Sequence, residues 1–281
     1  MSNFEKPVLE VKNLRKQFGD GCEYCKDLKE ENLKKNYCPK CGTLYACQDV
    51  SFKLYKGEIL GVVGESGSGK STMVQSLYFD RDVTCGEFYI ADYKDGLKNV
   101  FEESSQQKRY IRNNLFGKVY QNPMLGLKMD FSCIGNIAEK LISAGNRNVG
   151  FMGKRATELL NNVNIPAYRM KEAPKNFSGG MQQRVQIAKA LSNKPPILFL
   201  DEVTTGLDLS VQANVLDLIK KLQRELEISM IVVSHDLGVI KMLCDRTIVM
   251  LNGKVVEDGL TDQILEDPRH PYTQQLVQSL L

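Results

Sequence analysis

The chain has 281 residues, 42% hydrophobic and 25% charged. That mix rules out a disordered, collagenous or coiled-coil protein, and the length is enough to bury a core without staples. Lys and Arg total 37 against 34 Asp and Glu, and the resulting +3 is too balanced to argue for nucleic acid or an anionic membrane as partner.

The longest apolar runs, 59–64, 197–200 and 230–233, are far shorter than the roughly 20 residues of a membrane-spanning helix. The charged stretch 1–10 shows no secretory leader. Residues 8–18 alternate as a strand that breaks at Gly19. A polar insert occupies 21–43, and 46–54 reads as a second strand. Residues 58–63 form an apolar strand of the buried, parallel kind, followed by a Gly-rich turn and a helix from about Lys70. Further strands are expected at 87–93, 117–120, 197–200, 230–233 and 247–251, and helices at 104–114, 134–143, 153–163, 181–191 and 211–226. Strand and helix alternate, so the class is α/β with a mostly parallel sheet. The mainly helical stretch 122–175 interrupts the alternation and reads as a subdomain.

Eight cysteines are present. Cys22, Cys25, Cys38 and Cys41 form C-x2-C-x12-C-x2-C, whereas Cys47, Cys85, Cys133 and Cys244 sit among apolar neighbours and read as small core residues. Without an export signal the compartment is reducing, where tight CxxC pairs are metal ligands rather than disulfides. The spacing is that of a zinc ribbon or knuckle, with an Fe–S cluster as the alternative. Five Lys and four acidic residues accompany the cysteines. Four thiolates and Zn²⁺ would leave the insert slightly negative, a poor nucleic-acid binder. So short a segment cannot bury a core, and the metal would supply most of its folding energy, on the order of 10 kcal/mol. It reads as a docking or rigidifying element.

Gly64-Glu65-Ser66-Gly67-Ser68-Gly69-Lys70-Ser71 fits G-x-x-x-x-G-K-S between a buried strand and a helix. Its glycines let backbone N–H groups converge on phosphate oxygens at a helix N-terminus. Lys70 would reach the β- and γ-phosphates, and Ser71 would offer a hydroxyl to Mg²⁺. Asp201 and Glu202 close the apolar strand 197–200. Asp201 suits the Mg²⁺ water shell, and Glu202 suits a general base on the attacking water. Ser178, Gly179 and Gly180 open another helix, a second anion-binding N-terminus.

Together these motifs resemble the ATP-binding cassette (ABC) family, a P-loop NTPase fold with a RecA-like core and a helical subdomain. The resemblance covers the chain apart from the cysteine insert. It implies ATP hydrolysis with Mg²⁺, in a head-to-tail dimer of identical or paralogous cassettes. Gln121 matches the family's glutamine that senses Mg²⁺ and water, and His235 matches the switch histidine at the γ-phosphate. Gly206-Leu207-Asp208 matches the loop that signals across the dimer. Phe18 falls where an aromatic stacks on adenine. Glu65, Ser66, Thr72 and Gln182 fall within the motifs that contact nucleotide. One departure is Val203, where the family usually has proline after the catalytic glutamate.

The ending Asp267-Pro268-Arg269-His270-Pro271-Tyr272-Thr273 is similar to oligopeptide and nickel importer ATPases and to the ATP-binding subunit of the carbon–phosphorus lyase system. Asn122-Pro123-Met124-Leu125-Gly126 after Gln121 favours the lyase-type subunit. The implied partner is then a soluble multi-subunit enzyme core that degrades phosphonates, in the cytoplasm. The alternatives are a membrane permease, with the chain peripheral to the membrane, and a complex that activates methyl-coenzyme M reductase.

Overall fold

β1 (Leu9–Phe18) buries Leu9 and Val11 by alternation, and Leu14 after a register shift, in the computed structural model, which describes residues 6–25 and 33–279. β2 (Leu44–Leu54) runs antiparallel to β1. The wholly buried β3 (Ile59–Val63) leads through a loop into α1 (Lys70–Leu77). β4 (Cys85–Ile90) pairs with the other edge of β1, which is thus the centre of a three-stranded antiparallel sheet. β4 starts two residues before the expected strand. Its first residue, Cys85, pairs with Arg15 where the register slips, and it is exposed, so the reading of Cys85 as a core residue is wrong. Cys47, Cys133 and Cys244 are buried as expected.

The chain divides into two units, residues 104–232 and the remainder. The first of these begins with α2 (Ser105–Asn114), which Ser104 and Gln107 close with a reciprocal capping box. β5 (Phe116–Val119) follows, then α3 (Pro123–Gly126), α4 (Cys133–Ser143) and α5 (Val149–Asn162). α5 starts about a turn earlier than expected because Asn148 accepts the Phe151 N–H at 2.9 Å and caps it there. α6 (Gly179–Ala190), β6 (Ile197–Asp201), α7 (Leu209–Leu226) and all but the last residue of β7 (Ser229–Val233) complete the unit. β5 and β6 are parallel, and β7 lies beyond β6. Phe116 and Phe199 meet edge to face across the β5–β6 pair, with centroids 5.2 Å apart.

The other unit resumes with α8 (Leu237–Leu243), β8 (Arg246–Leu251), β9 (Lys254–Leu260), α9 (Thr261–Glu266) and α10 (Pro271–Gln278). β8 is parallel to β3 and antiparallel to β9. Arg246 ties the three together: its Nε donates to Glu58 at 2.7 Å and its Nη1 to both Asp258 oxygens at 2.7 and 2.8 Å. Two pairings on one guanidinium exploit its planar fork.

Candidate functional site

The buried β3 delivers the chain to Gly64, whose φ of +145° belongs to glycine; a Cβ there would strike the Met250 carbonyl oxygen. Gly69, at φ +106°, presses just as closely on the Ala46 carbonyl. The loop is cross-braced by Ser68 N–H on the Glu65 carbonyl (3.2 Å) and Gly253 N–H on the Ser68 carbonyl (2.9 Å). Lys70 is buried, and its Nζ donates to the carbonyls of Gly64 (2.7 Å) and Glu65 (2.9 Å). Glu65, Ser66, Gly67 and Ser71 are exposed, and Thr72 is half-buried in the first turn of α1. A buried cation in a Gly-rich loop at the N-terminus of α1 is the chemistry of a polyphosphate cradle.

Phe18 ends β1 with 36% of its surface exposed. Lys16 Nζ lies 5.0 Å and Arg81 Cζ 5.5 Å from its ring centroid. An exposed ring with two cations over it suits a planar base that carries phosphates. His235 is exposed just past β7. Ser234 N–H is anchored on the Val62 carbonyl (3.2 Å), and Asp236 caps α8 by accepting the Gly238 N–H (2.8 Å).

In the 104–232 unit, Asp201 ends β6 and Glu202 follows with φ +48°. Gln121 Nε2 donates to Glu202 Oε2 at 3.1 Å, and Thr205 Oγ1 lies 3.4 Å from the same oxygen. A proline at 203 would push the preceding residue towards extended backbone. Val203, itself buried, leaves Glu202 free to keep its left-handed conformation. Sequence reasoning missed Gln186. From the buried face of α6 it accepts the Tyr120 N–H (2.6 Å) and donates to the Tyr120 carbonyl (3.1 Å), which fixes the residue before Gln121.

Ser178 is the N-cap of α6, yet its hydroxyl makes no capping bond to the helix. Gly179 is exposed, and Gly180 packs so closely on Val211 that a Cβ would collide with it. Gln182 donates to the carbonyls of Pro174 (3.0 Å) and Phe177 (3.1 Å), so its amide braces the approach to this turn. Asp208 caps α7 by accepting the Val211 N–H at 2.9 Å. That bond, with the Ser210 hydroxyl, holds the Asp208 carboxyl below the usual carboxylate range.

The four insert cysteines converge. Their Sγ atoms all lie within 4.8 Å of one another, with Cys22–Cys25 at 3.7 Å, Cys22–Cys38 at 3.9 Å and Cys25–Cys41 at 3.6 Å. A single ion bound tetrahedrally at the Zn–S distance puts its sulfurs about 3.8 Å apart. A four-iron cube needs a larger cage, so the geometry fits one tetrahedral ion. Residues 26–32 of the insert lie outside the described residues. Around the sulfurs, the Tyr45 hydroxyl donates to Cys25 Sγ at 3.2 Å, the Cys22 N–H donates to the same atom at 3.2 Å, and the Thr43 hydroxyl is 3.2 Å from Cys41 Sγ. The Thr43 contact is the chief reason the Cys41 thiol falls to about 6. Burial pushes Cys25 up, but the bond from Tyr45 and those from its neighbours outweigh it and leave Cys25 below its ordinary value. Cys22 goes up to about 11, chiefly by burial, and a bound metal would remove that proton outright.

The ABC transporter family model matches residues 47–205, more than half of the chain. This chain belongs to the ABC transporter family. It is an ATPase of the kind represented by two relatives. It is 44% identical over 254 residues to the phosphonates utilization ATP-binding protein PhnK of Escherichia coli (strain K12), covering 90% of this chain and 97% of that one. It is 40% identical over 241 residues to the oligopeptide transport ATP-binding protein OppD of Bacillus subtilis (strain 168), covering 85% of this chain and 67% of that one. Among solved structures it is similar to the ATP-binding cassette MJ0796, determined as a dimer in a post-hydrolysis state bound to ADP and Pi. That match has a TM-score of 0.73 and 29% identity, and covers 90% of this chain and 98% of MJ0796. These likenesses bear out the P-loop ABC fold expected of the motifs. No helix among the described residues is long and apolar enough to cross a membrane.

Proposed function

We propose that this ABC ATPase drives a soluble, cytoplasmic assembly that processes phosphonates, hydrolysing ATP as a head-to-tail dimer. The observation that carries the partner class is the likeness to PhnK, which spans 97% of that relative. The dimeric MJ0796 cassette supports a dimer. Each ATP is then held by residues 64–71 of one protomer and by Ser178, Gly179 and Gly180 of the other. Lys70 and the loop N–H groups offset charge on the β- and γ-phosphates, and Phe18 stacks on adenine. Ser71, Asp201 and Gln121 would hold Mg²⁺, which would supply positive charge to offset that of the phosphates. Glu202, held by Gln121, takes the proton of the attacking water. His235 faces the γ-phosphate, and Asp208 carries the signal across the dimer.

The four cysteines hold one structural zinc ion, and the folded insert serves as a docking surface. The likeness to OppD favours a second reading, the motor of a membrane importer. Affinity purification of the tagged protein from its native cell distinguishes the two. Soluble enzyme subunits captured without detergent support the first reading, and a co-purifying integral permease overturns it.

A further inference from the structure

The C-terminal helix contributes a residue that neither the ATPase motifs nor the cysteine centre accounts for. Pro271 occupies the first turn of α10, where its missing N–H costs nothing. His270 is the N-cap, with Nδ1 accepting the Tyr272 N–H at 3.2 Å. Glu257 on β9 accepts the N–H groups of Arg269 (2.8 Å) and His270 (3.0 Å), and Thr273 is fully buried. The start of α10 is thereby fastened to β9. From this anchored position the Tyr272 hydroxyl accepts the Glu65 N–H at 2.8 Å. The carbonyl of the same Glu65 accepts from Lys70 Nζ at 2.9 Å. Both backbone polar groups of the loop's second residue are therefore held, one by the C-terminal helix and the other by the loop lysine.

We infer that Tyr272 is a positioning residue for nucleotide binding: it fixes the Glu65 peptide and thereby the rim of the phosphate loop on which Lys70 rests. A phenol suits the task. It offers an uncharged acceptor to a backbone donor, whereas a carboxylate in its place would repel the polyphosphate that the loop is built to attract. The inference rests on the reading of residues 64–71 as the phosphate cradle, so the experiment tests the two separately.

Tyr272→Phe keeps the ring and removes only the acceptor. It should weaken binding of ATP and GTP alike, roughly fivefold, the scale of one net hydrogen bond. KM should rise in parallel, kcat should change less than twofold, and the thermal midpoint of the nucleotide-free protein should stay at the parent value. Glu257→Gln should act in the same direction, more weakly, and add little in the Tyr272→Phe background, because both work through one anchor. Lys70→Ala, run alongside, should abolish binding. If Tyr272→Phe binds both nucleotides as the parent does while Lys70→Ala does not, the role of Tyr272 is wrong and the cradle stands. If Lys70→Ala binds at the parent level, the cradle reading itself falls. A loss confined to ATP, with GTP unaffected, also overturns the inference, because the loop touches phosphates and not the base.

Discussion

The phosphate loop joins strand β3 to helix α1 and the four-cysteine insert joins strand β1 to strand β2, and the two are held in shape by opposite means. The loop is shaped by its own backbone. Gly64 and Gly69 take conformations in which a side chain would strike the carbonyls of Met250 and Ala46, and Lys70 closes the turn on the Gly64 and Glu65 carbonyls. Among its described residues the insert has four converging sulfurs and a small cluster of Cys25, Cys38 and Tyr45, with Cys22, Tyr24 and Leu33 packed on it. A turn built on backbone sterics is specified residue by residue. A turn built on thiols would leave its shape to the ion they bind.

The largest expected effect tests that contrast directly. Cys38→Ser combined with Cys41→Ser should reduce bound zinc from about one per chain to near zero, because two thiolates cannot replace four. The insert should lose its fold while the ATPase core keeps its thermal transition and its ATP binding. Metal analysis with a melting curve checks this. Aggregation of the whole protein would show that the ion also holds the core, and the contrast between the two regions would be false.

Second in size is the chemistry. Glu202→Gln should keep ATP binding yet lower kcat about 100-fold, the scale of a lost general base, and with Mg²⁺ and ATP it should accumulate as a dimer. Phosphate release and light scattering read the two effects. Hydrolysis at the parent rate would remove Glu202 from that role. Phe18→Ala comes third, weakening ATP by roughly 1–3 kcal/mol if the ring stacks on the base. Titration calorimetry that finds no change would place Phe18 outside the site.

What could be read from the sequence divides along the same line. The phosphate loop was legible because spacing and glycine content dictate it. The α/β alternation was legible because β3, β6 and β7 are continuous apolar runs. Cys85 was misread because its exposure depends on where β4 starts and on the register slip opposite Arg15, neither of which local composition records. The start of α5 was missed because Asn148 reads as a loop residue until its side chain is seen to cap. Tyr45, Gln186 and Tyr272 look like ordinary strand or helix residues. Their partners, Cys25, Tyr120 and Glu65, lie 20, 66 and 207 residues away in sequence, so no local window contains both members of a pair.

The smallest effect is the most informative, because Tyr45 touches the thiols and its neighbour Ala46 touches the phosphate loop. Its hydroxyl donates to Cys25 Sγ at 3.2 Å, while its own carbonyl packs on Gly253 and the carbonyl of the next residue, Ala46, packs on Gly69 of the phosphate loop. Tyr45→Phe removes the hydrogen bond and leaves the ring and backbone in place. Loss of a partner that supports a metal ligand lowers metal affinity about tenfold, so zinc competition with a chelator should shift by that amount. If the two regions are mechanically separate, ATP affinity of the zinc-loaded variant should stay within twofold of the parent. A parallel fall in ATP affinity at full zinc occupancy would show that β2 transmits the state of the thiols to the phosphate loop. The insert would then be part of the nucleotide site's support and not only a surface for a partner.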